Sequence, residues 1–239
     1  MIRLTTGRAA LFGALLVVAL FVFLPLRLVL GIAGIGDAGL TARAVEGSVW
    51  SGTLRDARAG DIALGDLDAR LSPWSLLLGR VRLQLDSDVD TPTRAIHGAV
   101  GVSRNGARAD DVDATVAPGR LLAPLPVTGL AVEALSVRFQ DGTCMAAEGR
   151  VRATLSGDIA GVALPSVLSG SIRCEGRSLL VPLSSQAGAE RVDLRLEASG
   201  RYRATVTLQP GDPAAIARLT ALGFVQGAGG YALSVEGRF

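Results

Sequence analysis

VDLRLEASGRYRATVTL, residues 192–208, reads as two strands folded back on one glycine. Val192, Leu194, Leu196 and Ala198 alternate with Asp193, Arg195, Glu197 and Ser199. Gly200 breaks the pattern. Tyr202, Ala204, Val206 and Leu208 then alternate with Arg203, Thr205 and Thr207. Successive side chains of a strand point to opposite faces, so each half carries one apolar and one polar face. The stretch predicts an antiparallel hairpin turning at Ser199-Gly200, dry on one side and wet on the other.

The same period of two recurs through the chain. It is present at Val81, Leu83 and Leu85, at Val112, Ala114 and Val116, at Leu135, Val137 and Phe139, and at Val151, Ala153 and Leu155. Together these segments predict about ten to twelve antiparallel strands. One helix is expected, over about 213–222, capped by Asp212, opened by Pro213 and ended by Gly223, with Ile216 and Leu219 facing inward. Short helical turns are expected at 73–79 and 118–122. A single helix cannot cover an apolar face of that many strands. The fold class is therefore mainly β, a large twisted antiparallel sheet. It must pack as a β-sandwich, curl into a partial barrel, or leave an apolar trough.

The N-terminus has a different composition. AALFGALLVVALFVFLPL, residues 9–26, carries no charge and is flanked by Arg3, Arg8 and Arg27. As a helix it is about 27 Å long, close to the thickness of a bilayer core. Leu28, Val29 and Leu30 extend the span if Arg27 snorkels. A cleaved signal peptide is the competing reading, with small-x-small sites at 31–33 and 42–44. The run is long for such a peptide, and the expectation is an uncleaved transmembrane helix over 9–30. Residues 1–8 then form a cytoplasmic tail by the positive-inside rule. Residues 31–40, GIAGIGDAGL, form a linker, and 41–239 form a β-rich domain in the periplasm.

Composition limits the chemistry. All basic residues are arginine, the net charge is +2, and acids and bases are interleaved, which gives no footprint for nucleic acid. His97 is the one histidine, in RAIHGAV, and reads as a partly buried structural residue. With one histidine and no lysine, most general-base and metal-ligand schemes have no candidate. GxSxG, P-loop and GxGxxG motifs are absent. Asp110, Asp111 and Asp113 at strand spacing read as a solvated face. The expectation is a protein that is not an enzyme, with no metal and no cofactor. The two cysteines, Cys144 and Cys174, form one disulfide if the domain is exported, or two buried thiols if it is not.

VEGSVWSG, residues 45–52, places Trp50 between Gly47 and Gly52. Gly47, Trp50 and Gly52 read as a structural strand–turn–strand motif with the indole filling core. An anchor leading into this motif resembles protein N of the bacterial type II secretion pathway. SPWSLLLGRV at 72–81, GSIRCEGRSLLVPL at 170–183 and ARLTALGFVQGAGGYALSVEGRF at the C-terminus resemble the same family in the same order. The resemblance implies a single-pass inner-membrane protein with its bulk in the periplasm. Its role would be structural and accessory, in contact with other inner-membrane platform proteins of the export machine. It implies no catalytic residue. The family also resembles AsmA-type proteins, whose twisted sheets expose an apolar groove linked to lipid traffic. A lipid-binding or lipid-transfer module, with lipid on the apolar sheet face, is therefore the first alternative.

The second alternative is an outer-membrane β-barrel. Tyr231, Leu233, Val235 and Phe239 fall on one face of a last alternating strand, as in such barrels. Beyond the anchor the aromatic residues are too few for two girdles, and an uncleaved helix conflicts with outer-membrane insertion.

Overall fold

A computed structural model of the chain describes residues 40–59, 62–72, 80–87, 95–103, 105–117, 126–159 and 161–238, with Leu11, Phe12, Gly13, Leu15 and Ala19 near the N-terminus. The strands are β1 (Leu40–Thr41), β2 (Ala44–Ser48), β3 (Ser51–Ala59), β4 (Ile62–Leu71), β5 (Arg80–Ser87) and β6 (Ile96–Ser103). They continue with β7 (Gly106–Val116), β8 (Val127–Gln140), β9 (Thr143–Leu155), β10 (Asp158–Ile159), β11 (Val162–Ala163) and β12 (Val167–Ser171). The last are β13 (Arg173–Glu175), β14 (Ser178–Ser184), β15 (Glu190–Leu196), β16 (Arg201–Leu208), β17 (Val225–Gly227) and β18 (Gly230–Arg238). Helix α1 (Pro213–Ala221) lies between β16 and β17.

Sixteen strands form one sheet, and β10 and β11 form a separate pair. The sheet follows chain order almost throughout, so nearly every neighbour is a local hairpin partner. The strand count exceeds the sequence expectation partly because edges and interior strands are broken: β1 and β2 both pair with β3, and β12 and β13 both pair with β14. Among the described residues, the β1–β3 end of the sheet does not pair with the β17–β18 end. The sheet is thus open. It is neither the two-sheet sandwich nor the closed barrel that the strand pattern allowed.

The hairpin at 192–208 forms with its apolar residues on one face, Val192 opposite Val206, Leu194 opposite Ala204 and Leu196 opposite Tyr202. Its turn spans Glu197–Gly200, closed by the Gly200 N–H donating to the Glu197 carbonyl. Gly200 adopts φ +79°, the left-handed conformation that the turn demands.

The apolar face is covered in its C-terminal half. Val151, Leu168, Leu179, Val181, Leu183, Val206 and Leu208 form one core with Leu219 of α1, Phe224 just after it, and Ile159 of the small sheet. Helix α1 starts as expected: the Asp212 carboxylate accepts from the Ala214 N–H, and Pro213 opens the first turn. It buries Ala215 and Leu219, whereas Ile216 is only half-buried. Replacing Asp212 with alanine leaves that N–H unpaired and is expected to cost about 1 kcal/mol in denaturant unfolding. A second, smaller core lies under β3 and β4, around Leu54, Ala57, Leu67 and Ala69.

A line of irregularities crosses the sheet. Pairing slips at Asp56 in β3, Gly98 in β6, Asp111 in β7 and Ala134 in β8. Asp56, Asp111 and Ala134 have φ near +50°, which costs a non-glycine residue energy. Each of these three residues has its N–H satisfied by a side chain of a neighbouring strand. Asp66 Oδ1 accepts from Asp56 at 2.8 Å, Ser136 Oγ from Asp111 at 3.1 Å, and Asp113 Oδ1 from Ala134 at 2.8 Å. Gly98 and Gly149 make room for two of them: a Cβ at Gly98 would lie 2.7 Å from Val112 Cα, and one at Gly149 2.9 Å from Leu135 Cα. Bulges raise local twist, and a row of them bends a sheet too wide to stay flat.

The transmembrane helix expected at 9–30 lies largely outside the described residues, as do the turns expected at 73–79 and 118–122 and the linker expected at 31–40, except for Leu40, which begins β1. Leu11, Phe12, Gly13, Leu15 and Ala19 are helical. Among the described residues no helix is long and apolar enough to cross a membrane.

Candidate functional site

The VEGSVWSG segment is the first hairpin of the sheet. Gly47 faces Gly52 across β2 and β3, with Val49 and Trp50 at the turn. Gly47 has φ +88°, and a Cβ there would lie 2.6 Å from the Ser51 carbonyl oxygen. Val49, at 5% exposure, and Gly52 are buried, and Trp50 is half-buried. The indole therefore does not fill core as expected. Val49 and Trp50 both sit in the turn between β2 and β3.

Cys144 and Cys174 form a disulfide with Cα atoms 5.5 Å apart. Cys144 opens β9 and Cys174 sits in β13. The β9–β12 ladder ends at Ser171 opposite Arg150, so the bond ties the two strands beyond the end of their backbone pairing. Cys144 is buried in the main core, and Cys174 packs against it.

His97 is not buried. Its side chain is 73% exposed, and Nδ1 lies 2.6 Å from Asp86 Oδ1. The β5–β6 ladder is unbroken from Arg80 opposite Ser103 to Asp86 opposite His97, so Ile96, Gly98, Val100 and Val102 share the apolar face and His97 lies on the polar one. On that face one row runs Thr53, Asp68, Asp86, His97, Asp113 from strand to strand. Among the described residues, no group of three histidine, cysteine or acidic side chains converges to hold a metal ion. The acids at 110–113 have separate roles: Asp110 pairs with Arg82 and Arg108, Asp111 is a bulge, and Asp113 caps another.

The Asp66 carboxyl is held below its usual range, first by the Asp56 N–H and then by Arg55. Arg55 is raised in return, chiefly through its hydrogen bond to Asp66. A carboxyl with a lower pKa folded than unfolded stabilises the fold above its unfolded value and loses that contribution as pH falls through the folded one. The β3–β4 bulge is therefore expected to loosen only in acid, below about pH 4. The Asp56 amide resonance followed by NMR through an acid titration checks this, and Asp66→Asn is expected to remove the transition.

A cleft of about 350 Å³ opens beside the β15–β16 turn, lined by Ser178, Arg195, Glu197, Arg201, Tyr202, Arg203, Glu236 and Gly237. Each arginine in it is matched to a glutamate. Arg195 grips Glu175 at 2.7 and 2.8 Å, Arg201 pairs with Glu197 at 3.1 Å, and Arg203 with Glu236 at 2.8 Å. The cleft has the charge balance of a self-satisfied polar surface.

The apolar face between β5 and β7 is less covered. Val81 is 45% exposed and Val102, opposite it, 59%. Leu83 faces Val100 in the next row, and both are half-buried. The sheet thus carries a core toward each end, with a less covered apolar stripe at β5 and β6 beside the smaller one.

The family described as type II secretion system (T2SS), protein N, matches residues 38–234. A protein of Vibrio cholerae serotype O1 named type II secretion system protein N is 29% identical over 223 residues, covering 85% of each chain. No solved structure matches the chain. The match runs from before the first hairpin into the last strand, and the chain belongs to the type II secretion system protein N family.

Proposed function

We propose that the protein is an accessory structural component of the type II secretion machine at the inner membrane. Residues 1–8 remain in the cytoplasm, 9–30 span the membrane, 31–40 link, and 41–239 form the periplasmic domain. The observation that carries this reading beyond family membership is the Cys144–Cys174 bond, because such bonds persist in oxidising compartments. Leu11, Phe12 and Leu15 add support: each is helical and more than half exposed, as apolar residues meant for lipid are. Gly47, Trp50 and Gly52 serve as the structural motif of the hairpin nearest the anchor. The role is one of contact with other platform proteins, with no catalytic step.

Deleting the gene in its own bacterium tests the role. Export of type II substrates is expected to fall, and the full chain, but not residues 41–239 alone, to restore it. Unchanged export would remove the proposal. A C-terminal alkaline phosphatase fusion is expected to be active; an inactive fusion beside a fluorescent cytoplasmic one would reverse the orientation.

The exposed stripe at Val81 and Val102 favours a second reading, an AsmA-like module that holds lipid on the apolar sheet face. It predicts acyl lipid in native mass spectra of the purified protein, lost in Val102→Asp. Spectra free of lipid in the wild type would exclude it.

A further inference from the structure

The two ends of the open sheet are unlike. At the first, Ala42 and Arg43 interrupt the strand between β1 and β2, and Gly47 turns the backbone at φ +88°. Such breaks keep an edge from pairing with other chains. At the last, β18 pairs with β16 without a slip from Tyr231 to Arg238. On its outer side, β17 covers only Gly230–Ala232. Past the Gly223–Phe224 turn, the outward N–H and C=O groups of β18 have no ladder partner among the described residues. This edge contains no proline and no bulge, and it alternates as Val235, Gly237 on one face with Ser234, Glu236, Arg238 on the other.

We propose that this edge pairs antiparallel with the same edge of a second copy of the chain, with Gly237 on the two-fold axis. Directly opposed residues in a continuous sheet share a face, so the axis must pass through a residue. An axis at Val235 leaves Glu236 opposite Ser234 and Arg238 opposite Ala232, which β17 already covers, so neither charge meets an opposite one. An axis at Glu236 sets that carboxylate against its own copy, which is unfavourable. An axis at Gly237 sets Glu236 of each copy opposite Arg238 of the other, twice over. Arg203 takes only Oε1 of Glu236, through Nε and Nη2, which leaves Oε2 for the second copy. Gly237 itself offers no side chain at the axis: Tyr202 occupies that space, 2.5 Å from where a Cβ would stand.

Light scattering on the full chain in detergent, across a dilution series, tests the pairing. The wild type is expected to pass from dimer to monomer on dilution. Arg238→Glu opposes two carboxylates on each side and is expected to weaken the dimer by about tenfold or more. Arg238→Gln, which leaves the ion pairs within one copy untouched, is expected to weaken it less. The double swap Glu236→Arg with Arg238→Glu restores opposite charges across the axis and is expected to recover most of the affinity. A monomer at every wild-type concentration, an unaltered dimer in Arg238→Glu, or a double swap no better than Arg238→Glu would each overturn the proposal.

Discussion

Replacing both Cys144 and Cys174 with alanine is expected to destabilise the domain by about 3–4 kcal/mol, the chain-entropy value for a loop of this length. The bond closes a loop with a sequence separation of 30. It also acts past the last paired residues of the β9–β12 ladder, where the Ile172 N–H still donates to the Gly149 carbonyl at 3.1 Å. Below Ser171 the β9–β12 ladder has ended, and β13 is only three residues long. What remains between β9 and the β13–β14 turn includes the Cys144 N–H donating to the Arg177 carbonyl at 3.1 Å. Without the bond, β13 and this turn are free to lift from the core that Cys144 helps to fill. Urea unfolding of oxidised wild type against the double variant measures the cost. Each single replacement is expected to lose most of the same amount, since either one breaks the bond. A loss below about 1 kcal/mol would mean that the unfolded chain is already restrained there.

Alternation made the strands legible, because one face of each is dry and the other wet. The 192–208 hairpin and the Asp212-Pro213 helix start needed nothing beyond local rules. What local rules missed lies along the line of bulges. A left-handed glycine announces itself, but Ala134 at φ +48° does not. Its cause is on other strands: Asp113 accepts its N–H, and Gly149 leaves it room. His97 lies on the polar side by plain alternation with Ile96, Gly98 and Val100, and its wet-face role shows only once Asp86 of the neighbouring strand is placed opposite it. The aspartates near 110 were legible as acids of a wet face, but their work as caps needs the neighbouring strand to be placed. Trp50 lies in the turn and is half-buried, outside the reach of a period-two pattern. A residue at a turn has no face, and Val49 beside it takes the buried position.

Gly170→Ala is expected to be at least as damaging as loss of the disulfide, at about 3 kcal/mol or more. A Cβ at Gly170 would overlap the carbonyl oxygen of Pro182 on the neighbouring strand β14. Neither partner can yield cheaply. Gly170 is in register with Val151 of β9 on its other side, and Pro182 with Asp193 of β15. Proline inside a sheet has no N–H to give, so β12 and β14 pair only at Ser169 opposite Ser184. The missing donor and the missing side chain fit each other, and the strands close where no ladder forms. Gly129→Ala is the control. Its nearest neighbour would be Thr154 Cβ at 3.7 Å, and it is expected to be neutral or to stabilise by up to about 1 kcal/mol. Urea midpoints for both variants decide the matter, and a Gly170→Ala protein as stable as Gly129→Ala would refute the close approach. Gly170 and Cys174 hold the same β12–β13 segment between β9 and β14. Gly170→Ala combined with loss of the disulfide should therefore cost less than the two losses added, because the segment can be released only once.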